Sequence, residues 1–119
     1  MSGAMLRDLK ILVVGGTRPM SALVDGMLRS LGIGQVREAR DAAEAVVAMR
    51  REAADVVICA TPDWHREENW PDVPTIMLLR SAGPAERQAA KAAGATALLS
   101  HPITAKTLFQ RLVAATRRD

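Results

Sequence analysis

Short apolar runs alternate with amphipathic segments along this chain, and that alternation most constrains its fold. The first run, Lys10 to Val14, is almost wholly apolar, which is typical of a strand buried on both faces. An amphipathic helix is predicted next, with Pro19 in its first turn and Gly32 at its end. Its apolar positions recur at helical spacing and are Met20, Leu23, Val24, Met27, Leu28 and Leu31. The alternation predicts a parallel sheet with helices on both faces.

The same patterns predict four further strands and three further helices. The strands are Gln35 to Ala39, Val56 to Cys59, Thr75 to Leu79 and Ala97 to Ser100. Asp41 and Glu44 resemble a capping box that opens a helix through about Arg51. The other helices are predicted at Pro84 to Ala93, closed by Gly94, and after Thr104 as N-cap. The last helix is expected to bury Leu108, Phe109, Leu112 and Val113.

One irregular stretch, residues 61–74, interrupts the alternation. It holds Trp64, Trp70 and three of the six prolines, which leave too few residues for a full helix. We therefore expect the third crossover helix to be shortened or absent. The tryptophans either cover the bare sheet face or anchor a binding partner.

Length and composition limit the domain organisation. The chain has 119 residues, 49% of them hydrophobic, enough for one core. We assign a domain to residues 9–116, an extension to residues 1–8 and a stub to residues 117–119. The one cysteine, Cys59, lies in an apolar run, so a disulfide within the chain is excluded and a buried thiol is expected.

The distribution of charge and hydropathy argues against membranes and nucleic acids as binding partners. No apolar stretch approaches the roughly 20 residues of a membrane helix, so we expect a soluble, cytoplasmic protein with no membrane contact. The formal net charge of +3 is interpreted as spread along the chain. Direct binding of nucleic acid is therefore not favoured, because phosphate backbones select concentrated basic stripes.

The order of elements and four short motifs resemble the receiver domain of bacterial response regulators. The motifs are Ile11-Leu12-Val13-Val14, Asp55-Val56-Val57-Ile58, Pro74-Thr75-Ile76-Met77-Leu78, and Gly94-Ala95 through His101-Pro102. The resemblance spans about residues 9–115. It implies an α/β, flavodoxin-like fold: a doubly wound, five-stranded parallel sheet in the order 2-1-3-4-5.

The same resemblance identifies the positions that carry chemistry in the family. Receivers use two acids after the first strand, an aspartate ending the third, a hydroxyl ending the fourth and a lysine before the fifth-strand proline. The matching residues here are Gly15, Gly16, Ala60, Leu79 and His101. These side chains offer neither the oxygen ligands of magnesium nor a carboxylate nucleophile. The family's switch aromatic corresponds to Leu98, and we expect Leu79 and Leu98 to be fixed in packing.

The resemblance therefore implies a pseudo-receiver that is not an enzyme and needs no cofactor. Asp63 as a displaced phosphoryl acceptor is disfavoured, because it follows Pro62 and has no second acid beside it. We expect the chain to modulate a histidine kinase or another regulator through protein contacts. Alternative interpretations are a sensor of a nucleotide second messenger, or a regulatory domain of a larger kinase or transcription factor. A homodimer is a further candidate assembly.

Candidate binding residues fall into two sets, each with a plainer interpretation as a solvated surface. The candidate partner-binding residues are Trp64, Trp70, Arg87, Lys91, Lys106 and Arg111, whose cations would attract an acidic protein. The candidate anion-binding residues are Arg18, Arg66 and Arg80. Gly15 and Gly16 begin either a structural turn or a phosphate-binding loop, although a full glycine fingerprint is missing.

Overall fold

Five strands and four helices account for the regular structure in the computed structural model, which describes residues 8–15, 18–60, 72–79, 83–92, 94–100 and 102–116. The strands are β1 (Lys10–Val14), β2 (Gln35–Ala39), β3 (Val56–Cys59), β4 (Thr75–Leu79) and β5 (Ala97–Ser100). The helices are α1 (Arg18–Ser30), α2 (Ala42–Arg51), α3 (Pro84–Ala92) and α4 (Ala105–Thr116). All five predicted strands and four predicted helices are confirmed within the described residues.

The strands form one parallel sheet in the order β2-β1-β3-β4-β5. This is the flavodoxin-like order that the sequence predicts. Val14 pairs with Ala39 on one side and with Cys59 on the other, so the carboxyl ends of the first three strands are level. Residues that follow these strands consequently lie side by side along one edge. The predicted loss of the third crossover helix concerns residues 61–71, which lie outside the described residues.

Alternating side chains of the sheet build two separate cores. Ile11 and Val13 belong to the first core, whereas Leu12 and Val14 belong to the second, because successive strand residues point to opposite faces. The first core is covered by α1 and α4, through residues such as Val24, Leu28, Leu108 and Leu112. The second core is covered by α2 and α3, through Ala45, Met49 and Ala90. Helices on both faces make the sheet doubly wound, as predicted.

Two predicted helix starts are confirmed by side-chain capping. The Asp41 carboxylate accepts a hydrogen bond from the Glu44 backbone N–H at 2.8 Å. The Glu44 carboxylate reaches back to the N–H of Arg40, at 3.2 Å, rather than to that of Asp41, so the capping box is offset by one residue. At α4 the Thr107 N–H donates to the Thr104 hydroxyl at 3.1 Å.

Two apolar positions that the helical spacing assigns to the core are exposed. Leu23 on α1 is 47% exposed and Val113 on α4 is 38% exposed. Each lies at the margin of its apolar stripe, beyond the reach of the sheet. The expected burial of Val113 is therefore wrong, while Phe109 packs partly buried against the first core as expected.

Cys59 is buried, as the sequence predicts. Burial raises the pKa of its thiol above the ordinary range, because the apolar surroundings disfavour the thiolate. Within the described ranges, no helix has the length and apolar character that crossing a lipid bilayer requires.

Substitution of Gly26 by alanine is expected to stabilise the fold by about 0.5–1 kcal/mol. Gly26 lies inside α1 with a negative φ, and an added Cβ would meet nothing within 4 Å. Urea unfolding at low protein concentration measures the change. Gly32→Ala is the matched control, because Gly32 ends α1 with φ 91° and alanine there should destabilise by about 1–2 kcal/mol. Changes of equal sign in the two variants would contradict this account.

Candidate functional site

Three of the five positions singled out for chemistry meet at the carboxyl edge of the sheet. Gly15 follows β1, Ala60 follows β3 and Leu79 ends β4. The Gly15 N–H donates to the carbonyl of Ala39, and the Ala60 N–H donates to the carbonyl of Val14, both at 2.8 Å. These two bonds extend the ladder by one residue and hold Gly15 beside Ala60. Gly16 and His101 lie outside the described residues.

The described side chains of this edge offer no ligand to a magnesium ion. Glycine has no side chain, and the side chains of Ala60 and Leu79 are hydrocarbon, whereas magnesium requires hard oxygen ligands in octahedral geometry. Within the part of the chain that the structure describes, no group of three His, Cys, Asp or Glu residues could hold a metal. The same three residues provide no nucleophile for a phosphoryl group.

The backbone at Gly15 adopts a conformation that glycine favours over residues with a side chain. Its φ is 73°, in the left-handed region, where a side chain costs about 1–2 kcal/mol. Glycine adopts this conformation in the turn between β1 and α1 without the cost of a Cβ. The missing carboxylate is therefore accompanied by a local conformation that suits glycine.

The acids nearest in sequence to the strand ends have structural roles. Asp41, just after β2, caps α2 as described above. Asp55 precedes β3 at the opposite edge of the sheet, where its carboxylate accepts a hydrogen bond from the Lys10 N–H at 2.9 Å. Neither carboxylate replaces the acids that are missing beside Gly15 and Ala60.

Leu79 and Leu98 pack in the second core, as the sequence predicts. They lie on the neighbouring strands β4 and β5, where Leu79 pairs with Ser100 and Leu98 with Met77. Leu79 is 8% exposed, and Leu98 packs partly buried against the same cluster, which includes Ala90 of α3. The positions of the family's hydroxyl and switch aromatic are therefore both occupied by packed leucines.

A basic face lies at the β5 end of the molecule. We define it by four exposed residues: Arg87 and Lys91 on α3, and Lys106 and Arg111 on α4. The two helices flank the edge strand β5 from opposite sides of the sheet. Residues 83–116 contain these four cations and a single acid, Glu86.

The surplus of three positive charges in residues 83–116 equals the formal net charge of the whole chain. Basic and acidic residues balance in the rest of the chain. The three ion pairs formed among the described residues, Arg29–Asp25, Arg37–Glu52 and Arg40–Glu44, all lie outside the basic face. None of its four cations takes part in an ion pair with another described residue.

Arg111 has a structural role that the sequence does not reveal. Its Nε donates to the carbonyl of Leu98 at 2.9 Å, and β5 is the last strand of the sheet. The guanidinium therefore satisfies an edge carbonyl and blocks pairing with another strand. The side chains of Arg87, Lys91 and Lys106, the other three residues of the basic face, form no hydrogen bond of this kind with another described residue.

The candidate anion-binding residue Arg18 lines a shallow groove between α1 and β2. The groove has a volume of about 480 Å³, and Asp25, Glu38 and Arg29 also line it. Two carboxylates offset the two guanidinium groups, so the groove is not a cationic pocket. Arg66 and Arg80, together with Trp64 and Trp70, lie outside the described residues, and their assigned roles stay predictions.

Solved structures with the same fold are found among known proteins, whereas family models and curated proteins give no match. No protein-family model matches the chain, and no curated protein matches it. Among solved structures, the chain is similar to chemotaxis protein CheY4 of Vibrio cholerae, with 25% identity and a TM-score of 0.75. That match covers 90% of this chain and 98% of CheY4.

Two further structures share the architecture. The receiver domain of the sensor histidine kinase PA1611 from Pseudomonas aeruginosa PAO1, which has a magnesium ion in its active-site cleft, is 26% identical with a TM-score of 0.75. That match covers 91% of this chain and 97% of the domain. A chain of the CheX–CheY complex from Borrelia burgdorferi is 14% identical with a TM-score of 0.73, covering 92% and 90% respectively. Together with the strand order, these similarities show that the chain has the fold of response-regulator receiver domains.

Proposed function

We propose that this chain is a pseudo-receiver: a receiver-fold domain that accepts no phosphoryl group and acts by binding another signalling protein. The observation that carries the proposal is the edge formed by Gly15, Ala60 and Leu79. Receiver chemistry needs a carboxylate nucleophile and a metal held against the transferred phosphoryl group. The described residues of this edge supply neither, so the proposal also excludes an enzyme.

A constant binding surface follows from the packing behind β4 and β5. A receiver that switches must exchange two arrangements of side chains between these strands. Leu79 and Leu98 instead pack in one apolar cluster, and Arg111 ties α4 to the Leu98 carbonyl. We infer that the surface formed by α3, β5 and α4 stays in one state and needs no chemical signal to be recognised.

The partner is proposed to be a histidine kinase or another regulator that presents an acidic surface. The positive charge of Arg87, Lys91 and Lys106 would attract carboxylates and raise the rate of encounter. The CheX–CheY complex is an example of a similar fold bound to another protein. Contact through the basic face would modulate the partner without phosphoryl transfer.

Incubation with acetyl phosphate and magnesium is expected to leave the mass of the intact protein unchanged. The reason is the lack of acceptor and metal ligands at residues 15, 60 and 79. Intact mass spectrometry at several times reports any adduct, and a receiver with its full set of acids serves as positive control. Titration with magnesium, followed by amide NMR shifts, should show no saturable change near Gly15 and Ala60.

Phosphorylation of Asp63 is the result that would contradict the proposal most directly. A labile, stoichiometric phosphoryl adduct that disappears in Asp63→Asn would show that a displaced aspartate does the chemistry. That result, or saturable magnesium binding at the Gly15–Ala60 edge, would overturn the proposal.

A further inference from the structure

β2 is the end strand of the sheet, and alternate backbone groups along it point away from the sheet. The carbonyl of Ala39 accepts a hydrogen bond from the Gly15 N–H, so the backbone groups of Ala39 point towards β1. In an extended strand, the N–H and C=O groups of successive residues point to opposite sides. The backbone groups of Val36 and Glu38 therefore point outward, and among the described strands β2 pairs with β1 alone.

The two edges of the sheet are protected differently. At β5, the guanidinium of Arg111 bonds to the carbonyl of Leu98. At β2, the guanidinium of Arg37 is held at the carboxyl end of α2, where it donates to the carbonyls of Ala48 and Glu52. Open strand edges pair readily with another extended chain, and proteins usually cover them for this reason. Within the described residues, no side chain bonds to the outward backbone groups of β2, so this edge is available for pairing.

A groove follows the β2 edge on the side of α1. Its volume is about 480 Å³, and its α1 side is a stripe from Arg18 to Arg29, which is about 17 Å long at the rise of a helix. About five residues of extended chain have the same length, and β2 itself has five residues. An added strand of the length of β2 therefore matches the groove. The lining residues are Arg18, Ser21, Ala22, Asp25 and Arg29 of α1, with Val36 and Glu38 of β2.

The charges of the groove indicate which kind of chain it accepts. Arg18 and Arg29 are balanced by Asp25 and Glu38, and the Arg29–Asp25 ion pair has a length of 3.0 Å. A strongly acidic or strongly basic segment would meet like charge as well as opposite charge there. The half-buried Val36 adds an apolar contact. An uncharged segment rich in valine and threonine is therefore favoured, because β-branched residues also prefer the strand conformation.

We infer that the β2 edge binds an uncharged, extended segment of another protein as an additional strand of the sheet. The outward N–H and C=O groups of Val36 and Glu38 bond to the backbone of that segment, and the groove accepts every second side chain. β2 and β5 lie at opposite ends of the sheet. This occupant would therefore leave the basic face free for the acidic partner proposed above.

NMR titration of the whole chain with a designed peptide tests the inference. The probe is a capped peptide of alternating threonine and valine, with a lysine at each end for solubility. We expect saturable shifts of the Val36 and Glu38 amides and of the groove residues Ser21 and Ala22, with a Kd of about 10 μM to 1 mM. Hydrogen exchange of the Val36 and Glu38 amides should slow when the peptide binds. The same peptide with N-methyl groups on its central residues cannot donate along either edge and should bind at least about 10-fold more weakly.

Two substitutions of Glu38 separate its backbone from its side chain. Glu38→Pro removes an outward N–H that the ladder to β1 does not use, a position at which an edge strand tolerates proline. It should weaken binding of the probe by at least about 10-fold. Glu38→Gln is the matched control, because it removes the charge and keeps the N–H; it should change binding by less than about 3-fold. Circular dichroism verifies that both variants fold, and the N-methylated peptide tests the same point on the unaltered protein.

Four results would each overturn the inference. They are no saturable shift up to about 1 mM peptide, equal binding of the N-methylated peptide, equal losses in Glu38→Pro and Glu38→Gln, and slow exchange of the Val36 and Glu38 amides without peptide. The last result would mean that a second copy or another part of this chain already covers the edge. None of these outcomes bears on phosphoryl transfer, so failure here is separate from failure of the pseudo-receiver proposal.

Discussion

Leu108→Ala is expected to lower the free energy of unfolding by about 3–4 kcal/mol. Leu108 has no exposed surface and lies in the first core, where α4 packs on β3, β4, β5 and α1. Truncation removes its apolar burial and leaves a cavity that five packed elements cannot readily fill. Because small domains are marginally stable, the loss is a large fraction of the whole.

Urea unfolding followed by circular dichroism measures the effect. Val113→Ala is the control, since Val113 lies on the same helix but is 38% exposed; it should change stability by less than about 0.5 kcal/mol. Equal effects of the two substitutions would contradict the burial described for α4. They would also put in doubt the placement of Lys106, because Leu108 anchors the helix that carries it.

The sheet could be predicted from the sequence because its strands are marked at both ends. β3 is four apolar residues between Asp55 and Ala60, and β4 begins directly after Pro74. Such runs are too short for helices and rich in β-branched residues, which is typical of strands in the interior of a parallel sheet. The strand order required the resemblance to receivers, because spacing alone does not determine which strands are neighbours.

Exposure at the margins of helices could not be predicted in the same way. Leu23 and Val113 repeat at helical spacing, as Val24 and Leu112 do, but only the second pair faces the core. The width of the buried stripe depends on how each helix sits on the sheet. That tertiary detail is absent from the periodicity of one segment.

Some features of the candidate site could likewise be predicted from the sequence, and others could not. The residue types at positions 15, 60 and 79 already exclude carboxylate chemistry, and the parallel sheet brings them to one edge. The left-handed backbone of Gly15 and the bond from Arg111 to the Leu98 carbonyl were not predictable. Both depend on atoms that meet only once the strand order is set. The four residues of the basic face were already candidates in the sequence, and counting charge in windows of the sequence also reveals the surplus of positive charge in residues 83–116.

Reversing the charge of the basic face is expected to reduce partner capture by about 10-fold or more. The variant is Arg87→Glu with Lys91→Glu and Lys106→Glu, and Arg111 is kept because it holds the β5 edge. Exposed ion pairs contribute about 0.2–1 kcal/mol each, so three attractions turned into repulsions cost about 1–6 kcal/mol in total, and most of this range exceeds the 1.4 kcal/mol of a tenfold change. Quantitative capture from the source cell, at low and high salt, measures the loss.

A second triple variant separates a specific surface from total charge. Arg18→Glu, Arg50→Glu and Arg51→Glu change the net charge by the same amount on exposed positions of α1 and α2. If the basic face is the binding surface, this variant should retain most of the captured partner. Because attraction between exposed charges is screened by salt, the two triple variants should also converge as salt rises. Equal losses at low salt would mean that overall charge governs capture, and the basic face would then have no special role.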